Sequence, residues 1–510
     1  MKQNLLRSLE KKNPLLAIRF LTEEKKVGEL SDFPLPKKET VVLYVVGLGQ
    51  KSWQEKVVKW LKEDQNRKVY LIINSSYYLN NLSIDLLEHS QVKVGNSMTD
   101  FAWDHFYQPW ELLGGTLDEE KELANAILGV ELTLALYCDF GVTELSNVIT
   151  NLRKEKEAKN GSALFGKFQN IPAIICGAGP SLEKSLKRLK EIGDQALIFG
   201  GGSALSPLAK GNIPIHFMVA LDPQPPPERF FRQTYFEAPL FYQNQVDSSL
   251  LNCHHGPKLC IGESGSFPLE KWLVESLELL PSDAGWNVST FATYIATFLG
   301  CNPIYFVGMD LSVSKEASYV KGVEGRDERK NPMTQMDRFG NEATTRPDFL
   351  MAKKWFEDFA ESHSEIRFIN ASERGLPLEG IPYGKIELSQ SPSDLFSKIH
   401  QEILKVPFLK LERLQVKLET LDESLKNVQK ILVEYIKRLS QGKNMILYEC
   451  ELDEEIFYQA YLLPNWEVWK HLLQSDEIVC SMENPKLEKK LQEILFYQQL
   501  TEKFADERNI

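Results

Sequence analysis

Residues Ile171–Leu182 read IPAIICGAGPSL, and this run limits the choice of fold more than any other. Five of its first six residues are apolar, as a buried strand requires. Gly177, Ala178, Gly179, Pro180 and Ser181 follow, and then Leu182, Leu186 and Leu189 at helical spacing. A strand that turns through glycines into a helix start can bring backbone N–H groups close to an anion. Proline suits the first helical turn. The segment therefore predicts an α/β domain with a phosphorylated ligand, most simply a nucleotide, at this turn. The plainer reading is a tight strand–helix turn with no ligand. Neither the Gly-Lys-Ser/Thr of a Walker loop nor a third glycine is present.

More strand ends of the same kind follow. Ala196–Phe199 runs into Gly200, Gly201, Gly202 and Ser203, Ile213–Leu221 stops at Asp222-Pro223, and Pro303–Val307 ends in Gly308-Met309-Asp310. Asn287–Leu299 reads as an amphipathic helix with Asn287 and Ser289 at its start. In open α/β sheets ligands bind outside the carboxyl ends of the strands. The ends at Gly177, Gly200, Asp222 and Asp310 are expected to share one crevice. Asp222 and Asp310 suit ribose or sugar hydroxyls, or Mg²⁺ on a diphosphate; the bland role for each is a turn or a cap.

The chain of 510 residues is long enough for about three domains. A formal charge of −12 excludes a broadly basic nucleic-acid-binding face. Seven scattered cysteines fit reduced thiols, and the N-terminal stretch lacks an apolar core with a cleavage site, so a cytoplasmic protein without a membrane span is expected. Cys253, His254, His255 and Cys260 lie close together but lack the spacing of a zinc finger or ribbon.

Residues 1–160 read as an N-terminal Rossmann-like α/β domain, with a strand at Thr40–Val46, a Gly47-Leu48-Gly49 turn, a helix at Trp53–Lys62 and a strand at Val69–Ile73. Residues 161–390 form the central domain. In residues 391–510, Leu411, Leu414, Leu418, Leu421, Leu425, Val428, Leu432, Tyr435 and Leu439 recur three and four apart. That stripe predicts either a coiled-coil dimer, making the chain a homo-oligomer, or a helical bundle with Met445–Leu463 and Leu487–Phe504.

The motifs CGAGPSL, VALDPQP, NVSTFATYIATFLGCNPIYFVGMDLS and INASERGLPLEGIP resemble the bacterial motility-associated-factor glycosyltransferases, across roughly residues 165–390. The same core resembles the 6-hydroxymethylpterin diphosphokinase MptE-like domain and the bacterial sialyltransferases, whose turn reads CGNGPSL. The resemblance implies a Rossmann-like central domain. It implies a nucleotide-activated sugar, such as a CMP-nonulosonic acid, as donor and a protein such as flagellin as acceptor.

Carried over residue by residue, it places Gly177, Gly179, Pro180 and Ser181 on the nucleotide, and the shared crevice of strand ends and helix start adds Gly201, Gly202, Ser203, Asp222, Asn287 and Ser289 as nucleotide-binding candidates. Ala178 stands where the sialyltransferases have asparagine. Tyr319 lies near a donor-phosphate tyrosine, and Ser312 stands where another would fall. The general-base histidine would fall near Thr344, and no histidine lies between His255 and His363. Asp310, Thr344 and Arg346 are then the catalytic candidates, with Arg346 suited to bidentate pairing with phosphate or carboxylate. Ser372 and Glu373 are weaker ligand candidates. A diphosphokinase using ATP and Mg²⁺ on Asp222 and Asp310 is the alternative, and a non-catalytic nucleotide-sugar-binding protein a third reading. No cofactor is implied otherwise.

Overall fold

The computed structural model describes residues 2–22, 29–105, 107–226, 234–263, 268–313, 323, 332–388, 394–439, 441, 445–473 and 485–507. Tyr319 and most of the polar stretch around it lie outside them. The chain forms two compact units, one of Met1–Ala135 with His471–Asp476, the other of Leu136–Lys470 with Glu477–Ile510.

In the first unit, β1 (Val42–Val46), β2 (Lys68–Ile72), β3 (Val92–Gly95) and β4 (Trp110–Leu113) form a parallel sheet ordered β3-β2-β1-β4. Leu43, Val45, Val69, Leu71, Val92 and Val94 face a core shared with the helix Lys51–Lys62. The turn after β1 is filled by protein: a Cβ on Gly49 would lie 2.4 Å from the Trp53 ring.

In the second unit, β5 (Lys159–Asn160), β6 (Ala173–Cys176), β7 (Leu197–Gly201), β8 (Phe217–Ala220), β9 (Leu240–Tyr242) and β10 (Lys258–Cys260) belong to one eight-stranded sheet. Two further strands, β11 (Gly262–Glu263) and β12 (Pro281–Ser282), pair separately. The large sheet is completed by β13 (Ile304–Val307) and β16 (Phe368–Asn370), while β14 (Met333–Met336) and β15 (Glu342–Thr345) form an antiparallel hairpin. Its order is β16-β13-β6-β7-β8-β9-β10-β5, with every pairing parallel. From β6 the chain winds outward through β7 to β10, then returns to the other side of β6 with β13. The switch point thus lies between β6 and β13.

Strand side chains alternate between two cores, as a parallel sheet covered on both faces demands. Ile174, Ile198, Met218, Leu240 and Tyr305 point to one face with the helix Leu182–Ile192. Ile175, Phe199, Phe217, Phe241 and Phe306 point to the other with Val288–Leu299, Pro347–Ser362 and Leu395–Lys405.

The leucine stripe of Glu412–Leu439 is buried in the first of these cores together with Ile446–Asp453 and Pro485–Glu507, so the chain's own body covers it. Arg153 Nη2 adds donated bonds to both Asp422 carboxylate oxygens, each at 2.7 Å.

Against the expectation that no stretch has the length of a membrane span, one helix does by length and composition. Leu117–Lys154 holds a window long and apolar enough to cross a membrane, with 22% of that window buried. Leu145, Val148, Ile149 and Leu152 near its end sit in the sheet core.

Candidate functional site

The carboxyl ends of β6, β7, β8 and β13 open onto a cavity of about 410 Å³. Gly177, Gly179, Gly201, Gly202, Ser203, Asp222, Asn287, Ser289, Asp310 and Arg346 all line it, so Asp222 and Asp310 share one crevice. Pro180 and Thr344 line a neighbouring cavity of about 350 Å³, which shares Asp310 and Ser312 with the first.

The GAGPS turn is used differently from the sequence expectation. Gly177 N–H donates to Val307 O and Gly179 N–H to Gly308 O, each at 2.8 Å. Ser181 N–H donates to Asp310 Oδ2 at 2.9 Å, and its hydroxyl donates to Asp310 Oδ1. Leu182 N–H returns to Gly179 O at 3.0 Å. Pro180 has no N–H to offer. The two strand ends at the switch point are therefore clasped to each other, and buried Ser181 faces protein. A Cβ on Gly179 would sit 2.7 Å from both Gly308 O and the Asp310 carboxyl carbon. The glycine here serves contact between β6 and β13. Gly179→Val must therefore disturb the fold, where the glycine turn read as a phosphate cradle leads one to expect a loss of nucleotide binding far larger than any loss of stability.

The Gly201–Ser203 turn is more open to the cavity at Gly202. Gly202 has φ +49°, and a Cβ there would make only ordinary contact with Val288, at 3.6 Å. Ser203 and Ala204 enter a helix, whose first N–H groups have no partner within it. Across the cavity, Asn287 caps Val288–Leu299 by accepting from Ser289 N–H and Thr290 N–H at 2.9 and 3.0 Å.

Burial pushes the Asp310 carboxyl above the ordinary range, while the Ser181 bonds and the Arg374 guanidinium pull it partly back. The next residue, Leu311, has φ +48°, a left-handed backbone that costs an L-residue roughly 1–2 kcal/mol. Thr345 hydroxyl holds the Leu311 carbonyl at 2.7 Å. Leu376 N–H holds the Asp310 carbonyl at 2.9 Å. No sequence signal marked this strained position.

Arg346 precedes Pro347–Ser362 and is bidentate to Asp348, with Nε–Oδ1 at 3.1 Å and Nη2–Oδ2 at 2.7 Å. Its guanidinium lies 4.2 Å from the Phe349 ring centre. Asp348 and Phe349 line the cavity too, and residue types alone do not mark them because their role depends on how the helix starts.

Other candidates have structural work. Buried Ser372 accepts from Met309 N–H at 2.8 Å, and Glu373 pairs with Lys184. Asp222 Oδ1 accepts from Gln224 N–H at 3.0 Å. Burial lowers His254 to about 4. Among the described residues no group of three or more His, Cys, Asp or Glu side chains could hold a metal ion, which covers the Cys253–Cys260 loop. Asp310 accepts from Ser181 and Asp222 Oδ1 from its own turn, so any further ligand would have to share these carboxylates.

Residues 146–316 match the family described as "6-hydroxymethylpterin diphosphokinase MptE-like". An uncharacterized protein of Treponema pallidum (strain Nichols) is 29% identical over 126 residues, 24% of this chain and 57% of that protein; the chain thus spans little more than half of this relative's length. The solved structure of the Maf glycosyltransferase from Magnetospirillum magneticum AMB-1 superposes with a TM-score of 0.55 at 13% identity, covering 100% of this chain and 82% of that one. At that identity the likeness speaks for the fold. Residues 146–316 thus resemble an MptE-like domain, in a chain whose fold is similar to that of a Maf-type glycosyltransferase.

Proposed function

We propose that the protein is a glycosyltransferase that moves a sugar from a nucleotide-activated donor to a hydroxyl on a protein, flagellin being one such acceptor. The observation that carries this reading is the 410 Å³ cavity at the switch point of a chain sharing its fold, end to end, with the Maf glycosyltransferase. The likeness of Cys176–Leu182 to the sialyltransferase turn favours a cytidine nucleotide, and a CMP-nonulosonic acid as donor. The seven scattered cysteines of the sequence fit action in the cytoplasm.

In this reading the donor phosphate lies against the Gly202–Ser203 backbone and the Arg346 guanidinium. Asp222, Asn287 and Ser289 meet sugar or ribose hydroxyls. Arg346 stabilises the negative charge that grows on the leaving phosphate, and exchanges part of its pairing with Asp348 to do so. Asp310, its carboxyl raised by burial, is placed to take the acceptor's proton, a role for which a raised carboxyl is better matched than an ordinary one. Thr344, in the adjoining cavity, stands on the acceptor side.

A diphosphokinase acting on a hydroxymethylpterin is the second reading, favoured by the description of the matching family. It requires Mg²⁺ to bridge the ATP phosphates, with Asp222 and Asp310 as the residues that would hold it. Thermal-shift screening of CMP, CDP, UDP, ADP and ATP, with Mg²⁺ and with EDTA, separates the two. Stabilisation by cytidine nucleotides in EDTA supports the transferase; strictly Mg²⁺-dependent stabilisation by ATP supports the kinase.

A further inference from the structure

The helix Pro14–Thr22 is apolar on two faces. It reads PLLAIRFLT, with Arg19 its only charge. Leu16, Ala17 and Phe20 are buried in the core of the first unit. On the other side Leu15, Ile18 and Leu21, three residues apart, are 80%, 58% and 67% exposed. Large aliphatic side chains gathered in one row at the surface mark a place where something docks.

The row is held in place by the helix before it, Lys2–Lys12, which is tied to the body of the unit. Ser8 hydroxyl donates to Glu88 at 2.7 Å, and Lys12 Nζ donates to the carbonyls of His89 and Val92. Asn13, between the two helices, donates to Val94 O and accepts from Leu16 N–H, each at 3.0 Å.

The charge around the row is positive. Residues 2–22 carry five basic side chains against one acidic, Glu10, in a chain whose formal charge is −12. Arg7 and Lys11 are exposed, and Arg19 stands one helical turn from Leu15. Aliphatic side chains beside cations suit an anionic lipid surface, where the former enter the acyl boundary and the latter meet the headgroups. A contact between two copies fits less well. Two-fold pairing of this face would bring like charges together. Three side chains also fall short of the roughly 800 Å² per partner that a stable protein interface buries.

We propose that the outer face of Pro14–Thr22, with Arg7 and Lys11 beside it, docks the protein on an anionic bilayer surface, lying on the bilayer without spanning it. The docking is independent of the reaction at the cavity.

The test is co-sedimentation of the full chain with vesicles of phosphatidylcholine, alone or with roughly one-third phosphatidylglycerol. The parent is expected to bind the mixed vesicles about tenfold more tightly than the neutral ones, and less tightly as salt rises. Leu15→Ser with Leu21→Ser should weaken binding to the mixed vesicles about tenfold. Arg7→Glu with Lys11→Glu should remove the preference for anionic lipid. All four positions are exposed, so both variants should melt like the parent. No binding to the mixed vesicles, equal binding of the parent to both kinds, or variants that bind as the parent does overturn the proposal. So does binding to polyglutamate in place of vesicles, which would assign the face to an acidic protein. Loss of a dimer by sedimentation in the Leu15→Ser, Leu21→Ser protein overturns it too, and would assign the face to a second copy.

Discussion

Burial pushes Asp310 upward, and Ser181 answers with an N–H and a hydroxyl at the two carboxylate oxygens. Ser181→Ala takes one of these from a buried carboxylate, and should cost about 1.5–3 kcal/mol in denaturant melts. Asp310→Asn keeps an oxygen for the Ser181 N–H but cannot take a proton; transfer activity should be lost while most of the stability is retained. A variant that transfers at the parental rate would show that another group is the base.

A second residue supplies a pH test. Glu144 is raised to about 8 by burial, with the Glu270 and Asp222 carboxylates adding to it. The native state then holds a proton that the unfolded chain releases above its ordinary pKa of 4.5, so stability falls as pH rises from 4.5 to 8. Glu144→Gln removes the titrating group. It should melt higher than the parent above pH 8 and differ little from it below pH 4.5. A shift of equal size at both ends would contradict this account.

Two glycine turns that look alike in sequence differ as elements. Gly179 packs on β13, and Gly202 is open to the cavity. Gly179→Val should destabilise the unit by roughly 1–3 kcal/mol through overpacking. Gly202→Ala should cost roughly 1–2 kcal/mol for its left-handed backbone, and should also weaken CMP binding in calorimetric titration. Unchanged CMP affinity in a folded Gly202→Ala protein would remove this turn from the donor site.

The alternation of Ile174 with Ile175 and of Ile198 with Phe199 already announces a sheet buried on both faces. Apolar runs ending at Gly177, Asp222 and Asp310 likewise point to a common cavity. What the sequence could not disclose is partnership across the switch point. That Ser181 answers to Asp310, and Arg346 to Asp348, depends on tertiary contacts and on the start of a helix. Nothing in the residue types separates a glycine that admits a phosphate from one that admits another strand.

At the scale of the whole molecule, the C-terminal helices complete the core of the unit that holds the cavity. The stripe reads equally well as a dimer seam until its neighbours are known, and the neighbours are the helices Pro268–Val274, Ile446–Asp453 and Pro485–Glu507 of the same chain. Leu421→Ala, at a fully buried position, should cost about 2–5 kcal/mol without changing the association state by sedimentation. Loss of a dimer in that variant would favour the seam.

In the proposed function the cavity at the ends of β6 and β13 receives a nucleotide through Arg346 without a metal. Calorimetric titration of the full chain with CMP in EDTA, repeated with Arg346→Ala, tests it most directly. The account predicts CMP binding that survives chelation and falls at least tenfold in the variant, as loss of a charge-assisted phosphate contact implies. Binding of ATP in preference to CMP only when Mg²⁺ is present, or a CMP affinity indifferent to Arg346, would contradict it.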